Sequence, residues 1–167
     1  MSDNHICCCP PPASHNEEAV CPTCGNHGNP VGPETLRALL QPSLQSYVQD
    51  ATYRFCASSM CPVVYFLPGT AQTFVREQLT VRVGVKETSA PRPMCYCFEY
   101  SAESLHEEWL RTGKSTAVAA IQAAVKAGTC RCQVTNPQGN CCLGDVVQAL
   151  KAVQGLSLSS RNQSKKT

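Results

Sequence analysis

Cysteine is the residue with which this chain can do chemistry. Thirteen occur in 167 residues, mostly in tight groups: Cys7-Cys8-Cys9, Cys21-x-x-Cys24, Cys56 with Cys61, Cys95-x-Cys97, Cys130-x-Cys132 and Cys141-Cys142. Adjacent cysteines are poor disulfide partners for each other, because the bridge demands a particular Cα separation and dihedral. Two thiolates offered from one turn suit capture of a soft metal instead. The first twenty residues lack a basic segment followed by an apolar run, so no secretory leader is expected and a reducing cytoplasm is the expected compartment.

Cys21, Cys24, Cys56 and Cys61 form the first candidate site. Cys-Pro-Thr-Cys-Gly is a knuckle whose glycine permits the turn that aims both sulfurs at one ion. Two more sulfurs from the start of a hairpin would complete a closed tetrahedral zinc site. His27 lies three residues beyond the knuckle, but a histidine in a polar Gly-Asn-His-Gly loop is more often merely solvated. The second constellation comprises Cys95, Cys97, Cys130, Cys132, Cys141 and Cys142. Four of these thiolates could hold either a binuclear iron–sulfur cluster or a second zinc, and spacing alone does not separate the two. Cys7-Cys8-Cys9 offers either a soft-metal site on an arm or solvent-facing thiols.

Other chemistries are thinly supported. His106 sits in a polar helical stretch with no nucleophile beside it, and Glu107 and Glu108 read as a solvated helix face. No glycine-rich phosphate loop occurs. A metal-binding protein is therefore expected rather than an enzyme. The net charge of +2 comes from mixed signs, so no nucleic-acid stripe is expected, and no apolar run is long enough to imply membrane insertion.

The elements that must position these sulfurs fall into two sets. Residues 1–20 contain Pro10-Pro11-Pro12 and a polar run, which predicts a flexible leader. Gly32-Pro33 introduces a short helix ending before Pro42. Strands are expected over Ala51 to Cys56, Cys61 to Phe66 and Leu79 to Val85, the last from its alternation, with a turn at Pro68-Gly69. Ser89-Ala90-Pro91-Arg92-Pro93 reads as a linker between lobes. Beyond it, helices are expected from Ser101 to about Arg111, stopped at Thr112-Gly113, and from Thr116 to Ala127 behind a Ser115 cap. A third should run from about Leu143 to Val153 before Gly155. Residues 156–167 read as a disordered tail. The fold class is α+β: a small zinc-binding β lobe at 21–88, then a helical lobe at 94–155.

Several linked motifs resemble one family. They are Cys21-Pro22-Thr23-Cys24-Gly25, Cys61-Pro62-Val63-Val64-Tyr65-Phe66, Val83-Gly84-Val85-Lys86-Glu87, Cys95-Tyr96-Cys97-Phe98, Thr112-Gly113-Lys114-Ser115-Thr116 and Asn136-Pro137-Gln138-Gly139-Asn140-Cys141-Cys142-Leu143-Gly144-Asp145-Val146. Across about 21–153 the chain resembles the N-terminal domain of CopZ-type copper chaperones. The resemblance implies a zinc lobe followed by a [2Fe-2S] lobe like bacterioferritin-associated ferredoxin. It carries Cys95 and Cys97 over as cluster ligands. The other two come from Cys130/Cys132 and Cys141/Cys142, of which Cys132 and Cys142 are taken. Chaperones of this type continue into a heavy-metal-associated βαββαβ domain with its own Cys-x-x-Cys copper site, a domain not expected in the residues up to Thr167.

The resulting expectation is a cytoplasmic metal-handling accessory, with copper as the metal the resemblance implies. Its cluster would serve electron transfer or metal reduction. The implied partners are metal ions and a separate copper-carrying domain or metal-transport ATPase. The rival is a non-redox zinc module, structural or metal-sensing, in which both thiolate groups hold zinc.

Overall fold

The computed structural model describes the backbone of residues 19–163 and side chains through residue 155. Cys7-Cys8-Cys9, with the rest of 1–18, and residues 164–167 lie outside the described residues. The chain is α+β, a β lobe followed by a helical one.

The β lobe is an antiparallel meander of four very short strands: β1 Asn29–Val31, β2 Tyr53–Phe55, β3 Val63–Phe66 and β4 Thr73–Val75. Phe55 pairs with Tyr65, and Tyr65 with Phe74, so aromatic residues line adjacent strands. The turn between β3 and β4 contains Gly69 at a φ of +72°, the conformation expected for Pro68-Gly69. Helix α1, Pro33–Leu39, has its proline in the first turn and drives Leu36 and Leu39 into the core. That core also takes Leu40, Tyr53, Phe55, Val64, Tyr65, Phe74 and Val83.

Leu79 to Val85 is not a strand. Leu79 makes one isolated bridge to Leu40, and residues Gly84–Lys86 form a 3₁₀ turn. The backbone donors explain the departure: Thr80 N–H bonds to the Leu39 carbonyl, and Lys86 and Glu87 N–H groups turn back to Val83 and Gly84. Only Leu79 and Val83 of the alternating set are buried, and Val85 is exposed. The period-two pattern satisfied two contacts rather than a ladder.

In the second lobe, a two-stranded ribbon, β5 Pro93–Cys95 with β6 Tyr100–Ser101, holds the Cys-x-Cys turn. Helix α2, Ala102–Thr112, begins with Ser101 accepting from Ser104 N–H and ends at left-handed Gly113. Helix α3 spans Ala117–Lys126 with Thr116 as its N-cap. The Glu108 carboxylate, expected on a solvated face, instead serves this N-terminus. It accepts from Ser115 Oγ (2.8 Å), Thr116 Oγ1 (2.7 Å) and Thr116 N–H, and the Thr116 hydroxyl foremost lowers its pKa. A four-residue helix, α4 Cys132–Thr135, was not foreseen. Helix α5 runs Leu143–Gln163, past the expected stop at Gly155 and through part of the expected disordered tail. Gly155 does not adopt a positive φ, so it costs the helix about 1 kcal/mol relative to alanine without breaking it.

The two lobes dock closely, although 89–93 had read as a linker. The Thr35 hydroxyl donates to the Gln133 carbonyl at 2.6 Å, and the buried Tyr65 hydroxyl donates to the Pro137 carbonyl at 2.8 Å. The Tyr96 hydroxyl donates to Arg82 O and accepts from Gly84 N–H, both at 2.9 Å. Gly139, at a φ of +67°, lets the loop approach so closely that an added Cβ would meet Val31 Cγ2 at 2.7 Å. Tyr65→Phe should leave the buried Pro137 carbonyl unsatisfied and cost about 1–3 kcal/mol. The expected readout is a lower urea midpoint; an unchanged midpoint would show that docking does not rest on this bond.

Candidate metal centres

The first centre lies where the Cys21–Cys24 knuckle meets the segment between β2 and β3. The knuckle is closed by Gly25 N–H bonding to Cys21 O and Cys21 N–H to Asn26 O, with Gly25 at a φ of +72°. Cys56 N–H bonds to Val64 O, which fixes the other half against the sheet. The sulfurs of Cys21, Cys24, Cys56 and Cys61 all lie within 4.8 Å of one another, with Cys21–Cys61 at 3.8 Å and Cys24–Cys56 at 3.6 Å. A zinc–sulfur bond of 2.3 Å in a tetrahedron separates its sulfurs by about 3.8 Å. The four residues therefore fit a thiolate-bound zinc.

Cys21, Cys56 and Cys61 are buried beside Val63 and Phe66, whereas Cys24 is exposed. Burial raises the Cys56 pKa to about 12 and also raises that of Cys61. The Asn26 backbone N–H, foremost, lowers Cys24 to about 7. Cys24 thus ionises more readily than Cys56 and Cys61, from which a dication must displace protons.

Lys86 completes this corner and was not singled out from sequence. It is fully buried, and its Nζ donates to Ser58 O at 2.7 Å and Cys61 O at 3.0 Å. Burial lowers its pKa, while the charges of Cys56, Cys61, Cys21 and Cys24 oppose that fall. Its position within Val83-Gly84-Val85-Lys86-Glu87 was the available signal. His27 is exposed and is not among the gathered ligands.

The second centre lies in the helical lobe. Cys95 ends β5, and Cys97 occupies the turn to β6. Cys130 follows the Gly128 turn, Cys132 opens α4, and Cys142 immediately precedes α5. Cys132 is the hub. Its sulfur lies 3.8 Å from that of Cys97 and 3.2 Å from that of Cys130, and it also hydrogen-bonds Cys142, which in turn hydrogen-bonds Cys95. Cys97, Cys130 and Cys132 fall within 4.8 Å of one another. The hydrogen bond from Cys142 is foremost in lowering Cys132 to about 5 and Cys95 to about 7; the same bonds raise Cys142. Burial lifts Cys130 to about 12. Arg131 N–H and Thr135 Oγ1 lie 3.4 and 3.2 Å from Cys97 Sγ, so polar groups of α4 face this sulfur. Cys141 packs at the edge of the same core.

Comparison with known proteins agrees with this architecture. Residues 18–80 match the family model for the CopZ zinc binding domain. The X-ray structure of the Archaeoglobus fulgidus CopZ N-terminal domain is similar at a TM-score of 0.64 and 36% identity, covering 77% of this chain and 95% of that one. The chain belongs to the CopZ N-terminal-domain family. It is also 40% identical over 122 residues to the copper chaperone CopZ of Archaeoglobus fulgidus, across 73% of its own length. It spans 57% of the length of that curated relative. Among the described residues of this CopZ-type domain, no helix is long and apolar enough to cross a membrane.

Lys86→Met should weaken retention of a thiolate-bound dication by about 10–100-fold, as loss of outer-shell partners commonly does. Zinc transfer to a chromogenic chelator checks this; unaltered retention together with an unaltered fold would deny Lys86 any role at the centre.

Proposed function

We propose that this CopZ-type domain is a metal-handling accessory with one structural zinc and one [2Fe-2S] cluster. Cys21, Cys24, Cys56 and Cys61 hold the zinc; Cys95, Cys97, Cys132 and Cys142 hold the cluster. The domain division follows the same line, with 21–88 serving the zinc and 94–155 the cluster. The observation that carries the reading is the row of sulfurs running from Cys97 through Cys132 and Cys142 to Cys95. A row suits a binuclear cluster, whose four ligands are shared between two irons, better than it suits a single ion.

When bound, such a cluster supplies electron transfer at a potential set by hydrogen bonds and exposure. The chain's own groups prepare for that. Cys95, Cys132 and Cys142 are buried and Cys97 half-buried, so the site is dry on one side and reachable at the Cys97 turn. Arg131 N–H faces the Cys97 sulfur, where a donor stabilises thiolate charge. Copper is the proposed metal substrate, by likeness to the copper chaperone. Its reduction or hand-over would involve a separate copper-carrying domain or transport ATPase. The C-terminal lobe is by the same reading like bacterioferritin-associated ferredoxin.

A second reading, a non-redox zinc module, draws on the compact Cys97, Cys130 and Cys132 group, which could hold a zinc by three sulfurs. Protein purified without oxygen separates the two. The expected result is a brown, dithionite-bleachable chromophore with a paramagnetic signal on reduction, and one zinc per chain. Colourless protein with two zincs would establish the rival. Cys95→Ala or Cys97→Ala is expected to abolish the chromophore while zinc remains. Cys56→Ser should instead remove zinc and expose the β lobe to proteolysis. Copper(II) mixed with the reduced protein and a copper(I)-specific chelator should yield copper(I) in proportion to cluster content.

A further inference from the structure

Five cysteine sulfurs, one more than a [2Fe-2S] cluster uses, are joined in the helical lobe. Cys130 is the fifth. Its sulfur is 3.2 Å from that of Cys132, closer than Cys132 lies to Cys97 at 3.8 Å. It also lies within 4.8 Å of the Cys97 sulfur, so Cys130 and Cys132 face the same neighbour. We propose that Cys130 is an exchangeable ligand, able to take the place of Cys132 on one iron of the cluster. The inference rests on the [2Fe-2S] reading above and specifies one ligand position within it.

Backbone context supports the asymmetry of the pair. Cys132 is the first residue of α4, and its carbonyl accepts from Asn136 N–H at 2.9 Å; the Asn136 side chain in turn donates to Asn140 O. That end of the pair is tied to the loop leading to Cys142. Cys130 instead follows the Gly128-Thr129 turn and precedes the helix, and it is only half-buried. A change of side-chain rotamer can therefore redirect its sulfur without unwinding α4. At Cys95 the sulfur neighbour is Cys142, already a ligand in the proposed set.

The exchange balances without a redox partner. The iron–Cys132 sulfur bond breaks, an iron–Cys130 sulfur bond forms, and the Cys130 thiol proton passes to the Cys132 thiolate. Four thiolates ligate the cluster before and after, and no electron is transferred. The consequence is a cluster that survives modification of Cys132 and has two ligand sets with distinct spectra.

The test compares the full chain and its variants, all purified without oxygen, by iron and zinc content, visible circular dichroism and electron paramagnetic resonance. Cys132→Ala should keep iron within about twofold of the parent chain, with shifted dichroism and g-values. Cys130→Ala should keep the iron and reduce the parent spectrum to its Cys132-ligated component, whereas the double variant should lose the cluster, as Cys95→Ala does. A colourless Cys132→Ala variant that retains its zinc, beside a brown parent chain, would overturn the exchange while leaving the [2Fe-2S] reading intact. A colourless parent chain would remove both.

Labelling covers the case in which Cys132→Ala fails to fold. The cluster-loaded parent chain is treated with iodoacetamide, digested and sequenced by mass spectrometry across 130–132. Exchange predicts two singly labelled populations, one at Cys130 and one at Cys132. Label confined to Cys130 would mean a fixed ligand and would refute the proposal.

Discussion

Thiols crowded into a dry corner are the constraint on which the β lobe depends. Cys21, Cys56 and Cys61 are buried together with sulfurs at near van der Waals range, and they join a knuckle at one end of the lobe to a sheet of three- and four-residue strands. Strands that short contribute few ladder bonds, and an isolated hairpin of this size is marginal in water. A metal at this corner closes the loop from Cys24 to Cys56 and makes metal-binding energy part of folding energy. The aromatic core of Tyr53, Phe55, Tyr65 and Phe74 supplies the apolar burial that such short strands need.

What the β lobe then does is hold the second centre's loop. Residues between Cys132 and Cys142 form little regular structure, yet Asn136 and Pro137 are buried. Their neighbours are fixed from the other lobe, through Thr35 to the Gln133 carbonyl and Tyr65 to the Pro137 carbonyl. Gly139 sits against Val31 and Thr35. Two of the proposed cluster ligands therefore flank a loop whose shape is set by α1 and β3. The β lobe acts as a template for the loop between Cys132 and Cys142, an arrangement in which supporting groups orient the proposed ligands they do not themselves provide.

How much of this could be read from sequence depends on the range of the interaction. Cysteine spacing, the Ser101 cap, the Gly113 stop and the Pro68-Gly69 turn are local signals, and each appears where expected. The Leu79 to Val85 alternation failed because a period of two reports exposure, not strand pairing; the donors there were claimed by α1 and by a 3₁₀ turn. β1 and β4 were missed because three residues are too few to show a period. Glu108 looked solvated in its own helix because its partners, Ser115 and Thr116, belong to the next one. Lobe docking was hidden for the same reason: its bonds run between the side chains of Thr35, Tyr65 and Tyr96 and distant backbone groups, which carry no residue-type signature. The choice between Cys130 and Cys132 is also tertiary, since both stand in the same short motif.

Lys86 shows how the first centre's charge fits its surroundings. Removing an ammonium from water costs several kcal/mol unless opposite charge or donors' partners offset it. Among the described residues no carboxylate pairs with Lys86; two carbonyls accept from it, and the charges of the nearby thiols favour it. Four thiolates around a dication leave a net negative charge on the site, and one buried ammonium removes part of it. Neutral thiols would give Lys86 no such counter-charge, and the thiol whose pKa is lowered, Cys24, is the exposed one of the four. A buried ammonium beside four sulfurs is therefore matched in charge to the thiolates proposed to gather around a metal. The same logic separates the two centres: the second has no buried lysine, and there backbone N–H and hydroxyl groups around Cys97 face the sulfur instead. For the electron transfer proposed above, a centre whose charge changes is better served by such dipoles than by a fixed buried cation.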